Sequence, residues 1–120
     1  MLQKDRVMAF CQQWINDWNA GDVNEIMSHY SDDVDFSSPL VVQRLHRPSG
    51  RIKGAKELRS YFQVSLQGQI KPKFSLKSVA IGPDAFVIDY TNHRNQGVSE
   101  VFFPDADMMI RKVTVCWRPE

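Results

Sequence analysis

The fold is decided by residues 14–39, which read WINDWNAGDVNEIMSHYSDDVDFSSP. The segment is typical of the end of one amphipathic helix, a tight glycine turn, a short second helix and a first strand. Everything after it is predicted to add one more helix and then a run of strands.

The helix that enters this segment is predicted over residues 4–19. Its apolar residues Val7, Cys11, Trp14 and Trp18 recur at spacings of four, three and four, which is the helical period. One face of the helix is therefore expected to be buried.

Gly21 marks the end of this helix, because glycine tolerates the left-handed conformation beyond a helix C-terminus. Asp22 is predicted to cap the second helix, with Glu25 completing a capping-box pattern. The apolar residues of this second helix again fall on one side. Two helices joined by so short a turn are expected to pack as a hairpin.

The remaining chain changes period. Residues 34–37 alternate as a short strand that Pro39 stops. Residues 40–53 show no period, and the sequence Pro-Ser-Gly at 48–50 predicts a loop there. A third amphipathic helix is predicted from Ala55 to Leu66, bounded by Gly68. Strands are then predicted at 74–81, 86–91, 98–103 and 109–117, with short turns between them.

Helices followed by successive short-turn strands indicate an α+β fold with an antiparallel meander. We expect three helices packed on a strongly curved, mainly antiparallel sheet that forms a cone with an open end. Both faces of the last strands carry apolar residues. One face is therefore expected to pack on the helices and the outer one on a second subunit, as a homodimer.

Length and composition restrict the class of protein. A chain of 120 residues, 42% hydrophobic and 24% charged, fits one globular domain over residues 1–120. A net charge of +1 argues against a nucleic-acid or membrane-surface protein, and the N-terminus lacks the apolar run of a signal peptide. Cys11 and Cys116 are predicted to be buried free thiols. We expect a cytoplasmic location.

The sequence resembles the nuclear transport factor 2-like superfamily, specifically its SnoaL-like branch. The resemblance is carried by short pieces in the right order along nearly the whole chain, which are residues 18–22, 29–34, 37–39, 50–58, 61–62, 90–92 and 100–102. It implies a cone with a pocket, usually a dimer, and diverse roles that include isomerases, epoxide hydrolases, cyclases and binders without catalysis.

Steroid isomerases of this superfamily use a base before a proline in the first strand, with a Tyr and a protonated Asp that bind the oxyanion. The resemblance places Ser38 at the base, Trp14 at the Tyr, and Ser99 at the second acid; a shifted register would place Asp107 there instead. Ser38, Trp14 and Ser99 do not suit these roles. Asp107 would supply an acid, but the shifted register would remove the turn between the last two strands. The isomerase mechanism is therefore not expected.

Epoxide hydrolases of the family use an Asp-Arg-Asp relay with a Tyr and an Asn. Arg111, Tyr90 and Asn92 are candidates, whereas Asp89 has the opposite strand parity to Tyr90 and is expected to face the other side. A cyclase base would be an inward Asp or His, for which the histidines are His29, His46 and His93. Each of these is interpreted as a solvated residue.

Glu100 is the candidate catalytic residue, because it stands among apolar and aromatic neighbours inside a strand. A carboxylate held against such groups has a raised pKa and can act as an acid or base. The alternative interpretation is a strand-face Glu paired with Arg111 or Lys112.

We expect an apolar pocket for a small organic molecule, in an enzyme of undetermined reaction or, alternatively, in a non-catalytic binding or dimerising module. Its predicted lining is Trp14, Trp18, Tyr30, Ser38, Tyr61, Tyr90, Asn92, Glu100 and Arg111. No metal or cofactor motif is found, so none is expected.

A basic run lies within residues 44–59, opposed there only by Glu57. It comprises Arg44, Arg47, Arg51, Lys53, Lys56 and Arg59. It is interpreted either as a receiver for an anionic ligand at the pocket mouth or as a solvated loop balanced by nearby aspartates.

Overall fold

The computed structural model describes residues 1–119, with the longest helix at the N-terminus and a strand meander at the C-terminus. The helices are α1 (Lys4–Ala20), α2 (Val23–Met27), α3 (Pro39–Leu45) and α4 (Ala55–Leu66). The strands are β1 (Tyr30–Ser37), β2 (Arg51–Lys53), β3 (Ser75–Ile81), β4 (Phe86–Thr91), β5 (Gly97–Pro104) and β6 (Ile110–Trp117). The predicted α+β class is confirmed.

The predicted helix pair is also confirmed. Gly21 takes the left-handed conformation with φ of 71°, and its N–H donates to the carbonyls of Asp17 and Trp18. The Asp22 side chain accepts hydrogen bonds from the N–H groups of Asn24 and Glu25, which caps α2. The chain thus turns from α1 into α2 within two residues, and α2 leads straight into β1.

Residues 40–53, in which the sequence shows no period, hold α3 and β2, which were not predicted, and the predicted loop at residues 48–50 lies between them. The Ser38 hydroxyl accepts a hydrogen bond from Leu40 N–H, and Pro39 occupies the first helical turn, where its missing N–H costs nothing. Pro39 therefore starts a helix as well as stopping a strand. β2 contributes one buried residue, Ile52, which faces Phe36 across the pairing with β1.

The sheet has the strand order β2-β1-β6-β5-β4-β3, so β3 to β6 form the predicted antiparallel meander. β1 runs parallel to β6, which makes the sheet mixed. Register shifts interrupt the β1–β6, β3–β4 and β5–β6 pairs. Such bulges increase the local bend and twist of a sheet, which here lets one face wrap around the helices.

The inner face of the sheet is apolar at one end and open at the other. Phe86 and Phe102 stack with ring centroids 5.2 Å apart, and Phe10 of α1 packs edge-on against both rings. These rings close the narrow end of the cone. Towards Tyr90 and Val98, further along the same strands, the space between sheet and helices opens into a cavity.

None of the helices within residues 1–119 is long and apolar enough to cross a membrane.

Candidate functional site

The cavity lies between the inner face of β4 to β6 and the helices α1, α3 and α4, with a volume of about 420 Å³. Its apolar wall comprises mainly Trp18, Phe36, Leu40, Phe62, Phe74 and Val98. Its polar groups include Ser38, Gln43, Arg44, Tyr61, Tyr90, Asn92, Arg94, Gln96 and Glu100. The inner end holds the buried Tyr90 and Glu100, whereas the mouth is the end at which Gln43, Arg44 and Arg94 are exposed.

Glu100 points into this cavity because every second residue of β5 faces inward. Its neighbours across the sheet are Ile88 on β4 and Val115 on β6, and only 5% of the residue is exposed. Burial raises the pKa of the Glu100 carboxyl to about 7, because the charged form loses its hydration.

The Tyr90 hydroxyl donates a hydrogen bond to the Glu100 carboxylate, and this contact opposes part of the shift in the pKa of Glu100. Burial in turn raises the pKa of Tyr90 well above its usual value, so its hydroxyl keeps its proton. No ion pair within residues 1–119 includes Glu100, so the predicted alternative of a pairing with Arg111 or Lys112 does not occur there. Among the described residues, the Glu100 carboxyl therefore has a neutral donor as its partner and no charged one.

Two predicted lining residues, Trp14 and Tyr30, do not line the cavity. Trp14 Nε1 donates to the Tyr30 hydroxyl at 3.0 Å, and both side chains are buried in the aromatic core behind the wall. The ring of Trp14 lies 5.5 Å from that of Tyr90. Trp14 and Trp18 share one face of α1, but Trp18 sits a turn closer to the open end of the cone and lines the cavity.

Arg111, a third predicted lining residue, does not line the cavity either. Lys112 pairs with Phe103 and Ile110 pairs with Pro104, so Arg111 is an extra residue in a bulge of β6. The bulge breaks the alternation that would otherwise turn Arg111 inward. Its side chain lies in a separate polar concavity with Asp33, Asp35 and Asp84.

The other predicted residues, Trp18, Ser38, Tyr61, Tyr90, Asn92 and Glu100, are brought together in the cavity lining. The Tyr61 hydroxyl is buried and lacks a hydrogen-bond partner among the described residues, and burial raises its pKa to about 12. Tyr61 lines the cavity, whereas its hydroxyl is enclosed by protein and is not exposed there. Asn92 Oδ1 accepts from the N–H groups of Arg94 and Gln96, which orders the β4–β5 connection at the mouth.

Asp89 and Ser99 lie on the outer face of the sheet, as the parity of Asp89 predicts. The Ser99 hydroxyl donates to Asp89 at 2.5 Å, and Arg118 pairs with the same carboxylate at 2.6 Å. The position that the family resemblance gave to a second acid is thus outward. Glu100, one residue further along the strand, is the acid that faces inward.

Among the residues that the structure describes, no histidine lines the cavity. His29 Nε2 lies 2.6 Å from the buried Asp17 carboxylate and its ring packs edge-on against Phe10, so its role is structural. This corrects the interpretation of His29 as solvated, whereas His46 and His93 are exposed. Within residues 1–119, no three His, Cys, Asp or Glu side chains are grouped so that they could hold a metal ion.

The sequence interpretation missed several lining residues, namely Phe74, Gln43, Ser65, Arg94, Gln96 and Trp117. Trp117 continues the inward alternation of Val113 and Val115, and this period of two in the sequence indicates that its side chain faces inward. Gln43 and Ser65 lie on helices whose orientation follows from tertiary packing, and no sequence pattern indicates that they face the same space.

The comparison with known proteins agrees with this architecture. The family of SnoaL-like domains matches residues 11–116. A SnoaL-like protein of unknown function from Burkholderia thailandensis is 29% identical in sequence, with 98% of each chain covered and a TM-score of 0.94. No curated protein matches the chain in sequence.

Two more distant solved structures share the fold alone. An NTF2-like protein of unknown function from Cytophaga hutchinsonii is 11% identical, with 99% of this chain and 96% of that chain covered and a TM-score of 0.73. SalBIII, an epoxide hydrolase/cyclase-like enzyme of pyran ring formation in the polyether salinomycin, is 13% identical, with 98% and 95% covered and a TM-score of 0.74.

Proposed function

Since the chain belongs to the family of SnoaL-like domains, we propose that its cavity binds a small, largely apolar organic molecule and that Glu100 exchanges a proton with it. The observation that carries this proposal is the Glu100 carboxyl, buried at the inner end of an open cavity with a hydroxyl as its hydrogen-bonding partner. A carboxyl that ionises near neutral pH can both give and take a proton under ordinary conditions.

The dimensions and lining support a small ligand. A volume of about 420 Å³ falls in the usual range for small-molecule sites. Aromatic walls from Trp18, Phe62 and Phe74 suit an apolar body. SalBIII, which shares the fold, is named as an enzyme, and this gives the catalytic form of the proposal a precedent within the fold.

The test compares wild type with Glu100→Gln, which keeps the shape of the side chain but cannot exchange the proton. Glu25→Gln is the matched control, because Glu25 is exposed on α2, remote from the cavity lining. Proteins are incubated in D₂O with small ketones, esters and epoxides of one or two rings, and deuterium incorporation and hydrolysis are followed by NMR.

We expect turnover of at least one compound, reduced by about 100-fold or more in Glu100→Gln, while that variant still binds the compound and keeps the circular dichroism spectrum of wild type. Turnover that is equal in wild type and Glu100→Gln would remove Glu100 from the mechanism. If no compound in the set reacts or binds, the catalytic form of the proposal fails for substrates of this size.

A second proposal concerns the outer face of the sheet, where we infer that a second copy of the chain packs. Val87, Val101 and Thr114 lie side by side in register across β4, β5 and β6, and each is only partly buried. A row of this kind on an otherwise uncovered face favours self-association. This supports the alternative function, a dimerising module.

The dimer is tested by sedimentation equilibrium at micromolar concentrations. Val101→Lys is expected to shift the protein to the monomer. Val64→Lys, at an exposed position of α4 that is away from the sheet, is the control and is expected to leave the mass unchanged. A wild-type monomer throughout this range would contradict the proposal.

A further inference from the structure

We propose that the ligand of this cavity is an organic carboxylate, whose anionic group is bound at the mouth by Arg44 and Arg94 while its body extends towards Glu100. This inference rests on the proposed function and specifies the class of substrate. It follows from the position and pairing of the arginine side chains.

Arg44 and Arg94 enter the cavity lining from opposite chain segments. Arg44 lies in the last turn of α3, and Arg94 lies in the connection between β4 and β5. Both residues are exposed, and neither takes part in an ion pair within residues 1–119. The mouth therefore carries two guanidinium groups whose charge the described protein does not balance.

The other arginines of the basic run bind protein groups outside the cavity. Arg47 pairs with Glu57 at 2.9 Å, and Arg51 pairs with Asp35 at 2.5 Å. Arg59 donates to the side chain of Asn24, and none of these arginines lines the cavity. Of this run, Arg44 alone lines the cavity, so the sequence interpretation of an anion receiver applies to one residue of the run and not to the whole of it.

Arg44 is held in place before any ligand arrives. Its Nη1 donates to the Ser65 hydroxyl at 2.6 Å, and its guanidinium carbon lies 5.8 Å from the centroid of the Tyr61 ring. A guanidinium with a fixed plane and free N–H groups matches the two oxygens of a carboxylate. The backbone on either side of Arg94 is ordered by Asn92, which accepts from the Arg94 N–H at 2.9 Å.

The charge distribution also fixes the direction of the ligand. Glu100 is the one acidic residue that lines the cavity among residues 1–119, and it lies at the inner end. An anionic group is attracted to the mouth and is unfavourable beside a carboxyl that can itself ionise. The ligand would therefore place its carboxylate outward and an uncharged reactive group inward.

The probes are 2-naphthoate, methyl 2-naphthoate and 2-naphthyl phosphate, which share one ring system and differ in the charge of one group. Binding is measured by calorimetric titration to wild type, Arg44→Gln, Arg94→Gln and the double variant. Arg59→Gln, from the same basic run but outside the cavity lining, is the control. These side chains are exposed at the surface, so the variants are expected to fold.

We expect wild type to bind 2-naphthoate at least tenfold more tightly than its methyl ester, and added salt to reduce this preference. Each single variant is expected to lose much of the preference, and the double variant to lose it all, while Arg59→Gln keeps it. Equal binding of acid and ester by wild type, binding of neither, or a preference that survives the double variant would overturn the inference. Tighter binding of the phosphate than of the carboxylate would overturn the choice of carboxylate.

This outcome is separable from the proposed function. Glu100→Gln is expected to keep the preference for the acid, because the carboxylate binds at the other end of the cavity. Loss of turnover in Glu100→Gln together with equal binding of acid and ester would leave the proposed function standing and remove the carboxylate.

Discussion

The buried carboxyl of Glu100 predicts a specific dependence of stability on pH. Its pKa is raised from 4.5 to about 7 in the folded protein. In the unfolded chain the carboxyl ionises above pH 4.5, whereas in the folded protein it stays protonated until about pH 7. The free energy of unfolding therefore decreases as the pH rises between these values and is level with respect to this group outside them.

The size of the effect follows from the shift in pKa. Each unit corresponds to about 1.4 kcal/mol, so Glu100 reduces the free energy of unfolding by about 3 kcal/mol between pH 4.5 and 7. Glu100→Gln removes this titration. The difference in unfolding free energy, variant minus wild type, should therefore rise by about 3 kcal/mol from pH 4.5 to 7 and then level off.

The assay is urea denaturation followed by circular dichroism at half-unit steps from pH 4.5 to 8. Taking the difference between variant and wild type cancels other titrating groups, including Asp35 and Asp89, whose pKa values are lowered by their hydrogen bonds. A flat difference for Glu100→Gln would refute the claim that burial raises the pKa of this carboxyl.

Three further predictions concern a thiol, a glycine and a buried hydroxyl. Cys116 lies opposite Ser99 on the outer face of the sheet and is exposed, so the prediction that it is buried is wrong. In the native protein Cys116 should react with a thiol reagent, and Cys11 should not, because burial raises its pKa to about 12; mass spectrometry after timed quenching distinguishes one label from two. Gly50→Ala should destabilise the protein more than Gly21→Ala in thermal unfolding, since both have positive φ but only at Gly50 would the added carbon meet atoms at 3.0 Å. Equal losses would refute this. Tyr61→Phe should leave the thermal midpoint unchanged or higher, because its buried hydroxyl has no hydrogen-bond partner among the described residues; a lower midpoint would contradict this.

Local periodicity was sufficient to predict the long elements. The recurrence of Val7, Cys11, Trp14 and Trp18 predicts α1, and the alternation from Phe86 to Thr91 predicts β4 with the bounds that the structure has. Each of these elements buries one continuous face, so its apolar residues recur at regular spacings that can be recognised within a short stretch of sequence. β2 and α3 were missed because each buries only one residue, Ile52 and Val41 respectively, which is too little to give a period.

The site could be predicted only where strand parity fixes direction. The inward positions of Tyr90, Asn92 and Glu100 follow from alternation along β4 and β5. Arg111 failed because a bulge, which depends on the pairing of two distant strands, shifts its parity. Trp14 and Trp18 share a helix face, and Trp18 alone of the two contacts the cavity because it lies one turn closer to the open end of the cone. The charge state of the mouth could not be foreseen either, because it depends on which arginines find acidic partners in the folded chain.

The parallel pairing of β1 with β6 has a consequence for folding. Asp35 pairs with Lys112 and Phe36 with Val113, so an early strand is completed by the last one in the chain. Closing a loop of this length costs chain entropy before any contact compensates for it, and such long-range pairing slows folding. During synthesis, β1 cannot gain this partner until the residues of β6 have left the ribosome. The same pairing joins Tyr30 to Ile110, so two segments far apart in sequence must come together before the wall that carries the cavity is complete.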